Sequence, residues 1–108
     1  LHDGQPAPDA ERLMRSRYSA YVLSLEKYLL ATWHASTRPD RLGLADESPA
    51  PTWLGLKVHA FTRDDTDHAR VEFTARFRIG GQRAQRLHEQ SRFVRENGTW
   101  FYLDGTVD

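Results

Sequence analysis

The sequence predicts an α+β domain in which N-terminal helices pack in a curved, four-stranded antiparallel sheet. Three observations carry this. Apolar residues recur at helical spacing from Met14 to Leu29, through Tyr18, Tyr21, Val22, Leu25 and Tyr28. Residues Ala69 to Ile79 alternate: Val71, Phe73, Ala75, Phe77 and Ile79 face one way, and Arg70, Glu72, Thr74, Arg76 and Arg78 the other. That is the pattern of a half-buried antiparallel strand. Finally, Asn97-Gly98 stands between two apolar runs. It is a strong hairpin signal, because a type I′ turn needs positive φ at both central residues. Helices gathered on one face of an antiparallel sheet define the class, and a strongly bent sheet leaves a cone-shaped cavity between the layers.

The elements follow in order. Leu1 to Pro8, with Gly4, Pro6 and Pro8, reads as an extended lead-in. Asp9 is the expected N-cap of the first helix, and Glu11 in its first turn favours the helix dipole. Ser24 suggests a break and a second cap, giving helices over Asp9–Leu23 and Leu25–Trp33. Arg38 to Pro51 holds three prolines and a glycine, and is expected to be a loop with one helical turn at Asp40–Leu44. Trp53 to Thr62 reads as the first strand, with Leu54, Leu56, Val58 and Ala60 on one face. Asp64, Asp65 and Asp67 form a polar turn. Their spacing lacks the glycine and terminal glutamate of a calcium loop, so no metal is expected there.

Gly80-Gly81 leads into the third strand. The preferred register sets Phe73 beside Glu89, which joins the apolar face of the second strand to the Glu89 face of the third. The two-residue turn at Asn97-Gly98 then pairs Glu96 with Thr99, Arg95 with Trp100, Phe93 with Tyr102, Ser91 with Asp104 and Glu89 with Thr106. One face of this hairpin carries Glu89, Ser91, Phe93, Trp100, Tyr102 and Asp104; the other carries Gln90, Arg92, Val94, Phe101 and Leu103. The first face has two readings: a pocket wall, where apolar lining surrounds a few polar groups, or a polar surface covered by a helix or a partner.

Composition narrows the function classes. The 108 residues suit one domain. Fifteen basic and fifteen acidic residues cancel, so no global field draws the chain to nucleic acid or membrane. Arg70, Arg76 and Arg78 share a strand face, but Glu72 interrupts the row, and nucleic-acid binding is not expected. No apolar run approaches the ~20 residues of a membrane helix, and no signal peptide is expected. The absence of cysteine excludes disulfides and thiolate metal sites within these residues and fits a cytoplasmic protein. The chain starts at Leu1 rather than Met and reads as a domain of a longer protein. Motifs for a phosphate loop, a zinc-protease helix and a nucleophile elbow are all missing.

The candidate site is argued from convergence. Arg17 lies beside the helical stripe that must pack into the sheet, and Glu89, Ser91 and Asp104 lie on the face that must receive it. A buried carboxylate needs a partner, so an ion pair from Arg17 to Glu89 or Asp104 is expected. The expected lining is Arg17, Tyr18, Tyr21, Trp33, His34, Trp53, Glu89, Ser91, Tyr102 and Asp104. Glu89, Asp104 and His34 are the acid/base candidates. His34, at a helix end, has a plainer role in satisfying the last carbonyls.

Several blocks carry a family resemblance: Leu13-Met14-Arg15-Ser16-Arg17-Tyr18-Ser19-Ala20-Tyr21, Thr32-Trp33-His34, Trp53-Leu54-Gly55-Leu56, Phe73-Thr74-Ala75-Arg76-Phe77, Glu89-Gln90-Ser91-Arg92-Phe93 and Tyr102-Leu103-Asp104-Gly105. Across nearly the whole chain they resemble the central domain of the YchJ-like bacterial proteins. The resemblance implies an NTF2-like (cystatin-like) cone. It also implies cysteine-rich SEC-C zinc motifs in flanking segments of the intact proteins, so zinc is expected there and no cofactor within these residues. Such a fold hosts both enzymes and inert modules. The expected function is a binding or adaptor module for a small molecule or a protein. The alternative is an isomerase, dehydratase or hydrolase using the pocket carboxylates. A weak homodimer is expected through the face bearing Arg92, Val94, Phe101 and Leu103.

Overall fold

The computed structural model describes residues 5–46 and 49–107, so part of the expected lead-in, Leu1 to Gly4, lies outside the described residues. Two helices, α1 (Ala10–Val22) and α2 (Glu26–Ala31), pack on an open four-stranded antiparallel sheet. Asp9 caps α1 by accepting the Arg12 backbone N–H at 2.8 Å. The break falls where expected, but Ser24 does not cap the second helix. It adopts a left-handed φ of 57°, which turns the chain so that the Leu25 N–H reaches Ala20 O at 2.8 Å. Leu25 is then the N-cap residue of α2 and makes no side-chain cap bond. This helix is also shorter than expected. The Thr32 hydroxyl donates back to Tyr28 O at 2.8 Å, and from Thr32 onward the backbone turns to the sheet.

The strands are β1 (Pro51–Arg63), β2 (His68–Ile79), β3 (Gln85–Glu96) and β4 (Thr99–Val107), in the order β1-β2-β3-β4. Irregularities between Trp53 and Gly55 and between Val58 and Ala60 interrupt β1 and correct its expected face. Leu56 and Val58 oppose Ala75 and Phe73 on the inner side, and Trp53 opposes Phe77. Leu54 and Ala60, one at each irregularity, are exposed. An extra residue shifts the alternation, so strict period two could not hold along this strand. The helical turn of the loop before it is a 3-10 turn at Leu44–Asp46, not at Asp40–Leu44. Glu26 fixes its start by accepting the Leu44 N–H at 3.0 Å.

Strand β2 alternates as its sequence does: Ala69, Val71, Phe73 and Ala75 are buried, while Arg76 and Arg78 are exposed. Phe73 pairs with Glu89, the preferred register. The β3–β4 hairpin turns at Asn97 and Gly98, with φ of 52° and 78°, and pairs Glu96 with Thr99 through to Phe93 with Tyr102. A bulge follows, so Arg92 opposes Asp104, Ser91 opposes Gly105 and Glu89 opposes Val107. The expected Ser91–Asp104 and Glu89–Thr106 pairs are corrected by this one extra residue. Asp104 moves to the outer face, where both carboxylate oxygens accept from Arg92, Nε at 2.6 Å and Nη2 alongside.

The core lies between α1 and the inner sheet face, around Ala10, Leu13, Met14, Val71, Phe73, Phe93 and Trp100. Beyond α2 the chain runs along the β4 edge. Trp33 forms a parallel bridge with Tyr102. The Tyr102 N–H donates to Thr32 O, and the His34 N–H to Tyr102 O, each at 2.8 Å. This bridge covers part of an edge whose backbone groups would otherwise face outward.

Two outcomes are expected. Gly98→Ala forces a side chain into a left-handed position and costs about 1–2 kcal/mol, whereas Gly81→Ala, with open space around its Cβ, costs little; urea unfolding of both variants measures the contrast. The Arg92 hydrogen bond holds the Asp104 carboxyl below its ordinary value. A group depressed in the folded state stabilises above its unfolded pKa, and the contribution is lost as pH falls through the folded value. Asp104→Asn therefore flattens the acid limb of stability against pH and leaves the alkaline limb unchanged, which denaturation across that range will measure.

Candidate functional site

Arg17 enters the inner layer from α1 and is 5% exposed. The expected ion pair is corrected: among the described residues its hydrogen bonds go to no carboxylate. Nη1 donates to Leu29 O at 2.7 Å and to Thr32 Oγ1 at 2.6 Å. Leu29 O is near the end of α2, where carbonyls lack helical partners and the dipole favours a cation. The guanidinium also lies 4.6 Å from the Tyr102 ring centre and 5.1 Å from that of Trp33. Burial lowers the Arg17 pKa, while Tyr21, Tyr102, Tyr28 and Glu89 oppose that shift. An arginine stays protonated under such conditions.

A concave cavity of about 270 Å³ opens beside this guanidinium. From the helix layer come Met14, Arg17, Tyr18 and Tyr21. Strands β1 and β2 supply Trp53, Phe73 and Ala75; β3 and β4 supply Leu87, Glu89, Ser91, Phe93 and Tyr102. The rings fall into two groups. Trp53 meets Tyr18 edge-on at 5.9 Å and Phe77 at 5.6 Å, and Phe93 meets Tyr102 edge-on at 5.7 Å.

Glu89 is fixed by local geometry. Its Oε2 accepts from the Ser91 hydroxyl, its neighbour on the same strand face. The side chain lies over Gly105: a Cβ there would fall within 3.0 Å of Glu89 Cγ and closer still to the carboxyl group. The hairpin register and the absence of a side chain at Gly105 thus set the carboxylate's position together. Tyr102 supplies a phenol on the same wall. Burial pushes its pKa up, Glu89 acts in the same direction and Arg17 against it, so the group is a neutral O–H donor throughout the physiological range. An apolar cleft is thereby furnished with a cation, a carboxylate, a serine hydroxyl and phenols.

Of the residues expected from sequence, Arg17, Tyr18, Tyr21, Trp53, Glu89, Ser91 and Tyr102 are brought to this cavity. Trp33, His34 and Asp104 are not. Trp33 lies behind Tyr102, edge-on at 4.9 Å, and its Nε1–H is buried without a partner among the described residues. His34 pairs with Glu96 and packs edge-on against Phe101; the parallel bridge carries it past Tyr102 onto that side. Asp104 is held outside by the bulge. Sequence reasoning left out Met14, Phe73, Ala75, Leu87 and Phe93. The signals were present: Phe73 and Ala75 lie on the alternating face of β2, and Leu87 stands two residues before Glu89 on one face of β3.

The comparisons with known proteins agree with this architecture. The family described as YchJ, middle NTF2-like domain, matches residues 9–105. A UPF0225 protein of Polaromonas naphthalenivorans is 61% identical over 105 residues, covering 97% of this chain and 74% of that protein. A UPF0225 protein of Chromobacterium violaceum is 53% identical over 108 residues, covering 97% and 78%. A solution structure of a SEC-C motif containing protein from Rhodopseudomonas palustris superimposes with a TM-score of 0.86 at 31% identity, covering 98% of this chain and 84% of that one. The two helices on an open antiparallel sheet are therefore the NTF2-like fold, and the chain belongs to the YchJ family as its middle domain.

Proposed function

We propose that this domain is a binding module whose concave cavity takes a small molecule, and that in intact relatives it works beside zinc-binding SEC-C segments. The observation that carries the reading is the cavity's make-up. Aromatic and aliphatic walls supply the area for affinity, and Arg17, Glu89, Ser91 and Tyr102 supply a few fixed polar contacts for orientation. A volume of about 270 Å³ suits a compact ligand. Binding is favoured over acid/base catalysis because the three acid/base candidates do not converge. Glu89 lines the cavity, while Asp104 is paired outside with Arg92 and His34 with Glu96. A general acid or base must lie within hydrogen-bond reach of the proton it moves, and of the three candidates only Glu89 lines the cavity. We further propose a weak homodimer through the region of Arg92, Val94, Phe101 and Leu103.

The test is a protein-detected NMR screen, on isotope-labelled chain, of small aromatic and polar fragments, repeated with Ala75→Leu. Ala75 is buried on the cavity wall, so the larger side chain occupies the space. The expected result is a set of fragments that perturb Tyr102, Trp53 and Leu87 resonances and lose at least tenfold in affinity in Ala75→Leu, with a thermal melt showing that the variant is folded. Fragments that perturb no lining residue, or that bind the filled variant equally well, would contradict the proposal.

A further inference from the structure

The outer face of the sheet divides into two halves of unlike electrostatics. In the half nearer the β1–β2 turn the arginines are neutralised locally. Arg70 donates Nε and Nη2 to Asp64 at 2.9–3.1 Å, Arg92 is paired with Asp104, and Glu72 accepts His88 at 2.7 Å. In the other half the same residue type has no such partner. Arg76 and Arg86 are directly opposed across β2 and β3. Arg78 follows on the same face two residues along. Lys57 opposes Thr74, the residue two before Arg76. All four are exposed, and among the described residues none makes a hydrogen bond or ion pair. Like charges set directly opposite each other are unfavourable in a sheet, so this arrangement works against stability.

We propose that this half-face is a docking surface for the phosphate backbone of a nucleic acid. The zero net charge of the chain hides it, because many of the carboxylates are committed to local pairs while these cations are not. A second copy is a poor match, since the acidic turn it would bring, Asp64, Asp65 and Asp67, is already paired with Arg70, His68 and Arg95. A protein partner is disfavoured as well. Protein interfaces are built round a buried apolar or aromatic centre, and this patch carries no aromatic anchor, with exposed Leu54 beside it as its large apolar side chain. What remains is a row of guanidinium groups suited to repeated bidentate contact with phosphate oxygens. Binding of this kind is independent of base sequence and sensitive to salt. The inference departs from the expectation drawn from net charge, which averages over both halves.

The test is fluorescence anisotropy of a labelled single-stranded RNA of about 20 nucleotides, and of the DNA of the same sequence, at about 50 and 200 mM salt. Contacts to four phosphates should weaken binding by about fiftyfold between those two salt concentrations. The Arg76→Ala/Arg86→Ala double variant should lose at least tenfold at the lower salt and roughly halve the salt slope. The Arg70→Ala/Arg92→Ala double variant changes net charge equally, so it controls for global charge and should lose less than threefold. Circular dichroism checks that both variants fold. No binding of either nucleic acid at the lower salt would overturn the proposal, as would equal losses in the two double variants. Capture of anionic lipid vesicles or of a poly-glutamate peptide in preference to nucleic acid would overturn it too, by assigning the face to a different partner.

Discussion

The buried guanidinium of Arg17 is the contact on which the inner layer depends. It is a cation taken out of water, a state that costs several kcal/mol unless it is compensated. The compensation is spread over three elements: the Leu29 carbonyl near the end of α2, the Thr32 hydroxyl at its exit, and the rings of Trp33 and Tyr102. Each of these in turn fixes a neighbour. Thr32 O and the His34 N–H hold the Tyr102 backbone, so the group that ties the two helices together also registers them on the β4 edge. Satisfying Arg17 from a helix end rather than from Glu89 leaves the carboxylate available to the cavity, which explains how opposite charges share one wall without forming an ion pair.

The second constraint is the bulge in β4. One extra residue at Leu103 sends Asp104 outward to Arg92 and sets Gly105, instead of a side chain, opposite Ser91. The Glu89 carboxylate then occupies the room that a Cβ at position 105 would need. A regular hairpin would have placed two carboxylates on the inner face and crowded them. Bulges often lie beside sites because they re-aim side chains, and here the result is an inner wall with one carboxylate and an outer face with a neutral pair.

Which features were legible follows from this. The β2 alternation, the Asn97-Gly98 turn and the Phe73–Glu89 register could be read because each rests on a rule that holds without insertions. From these the inward placement of Glu89 and Ser91 follows directly. Leu54, Ala60 and Asp104 were misplaced because irregularities in β1 and β4 reset a period-two pattern; Gly55 and Gly105, beside two of these irregularities, are the residue-type signal, since an isolated glycine in a strand often marks a bulge. The partner of Arg17 was hidden for another reason. A sequence pattern displays side chains, so it suggests a carboxylate, while the acceptors include a backbone carbonyl that becomes available only because α2 stops at Ala31. His34 was misplaced for the same reason, since its position depends on a parallel backbone bridge.

The account is tested most directly by a pair of double-mutant cycles on Arg17, read by urea denaturation. One cycle combines Arg17→Met with Thr32→Val, the other Arg17→Met with Glu89→Gln. Residues in one hydrogen-bond network couple by about 0.5–3 kcal/mol, and independent ones add within about 0.5 kcal/mol. The account expects Arg17 to couple to Thr32 by about 1 kcal/mol or more and to Glu89 by less than half of that. A larger coupling to Glu89 than to Thr32 would contradict it, since the buried cation would then be held by the cavity carboxylate and not by the end of the second helix.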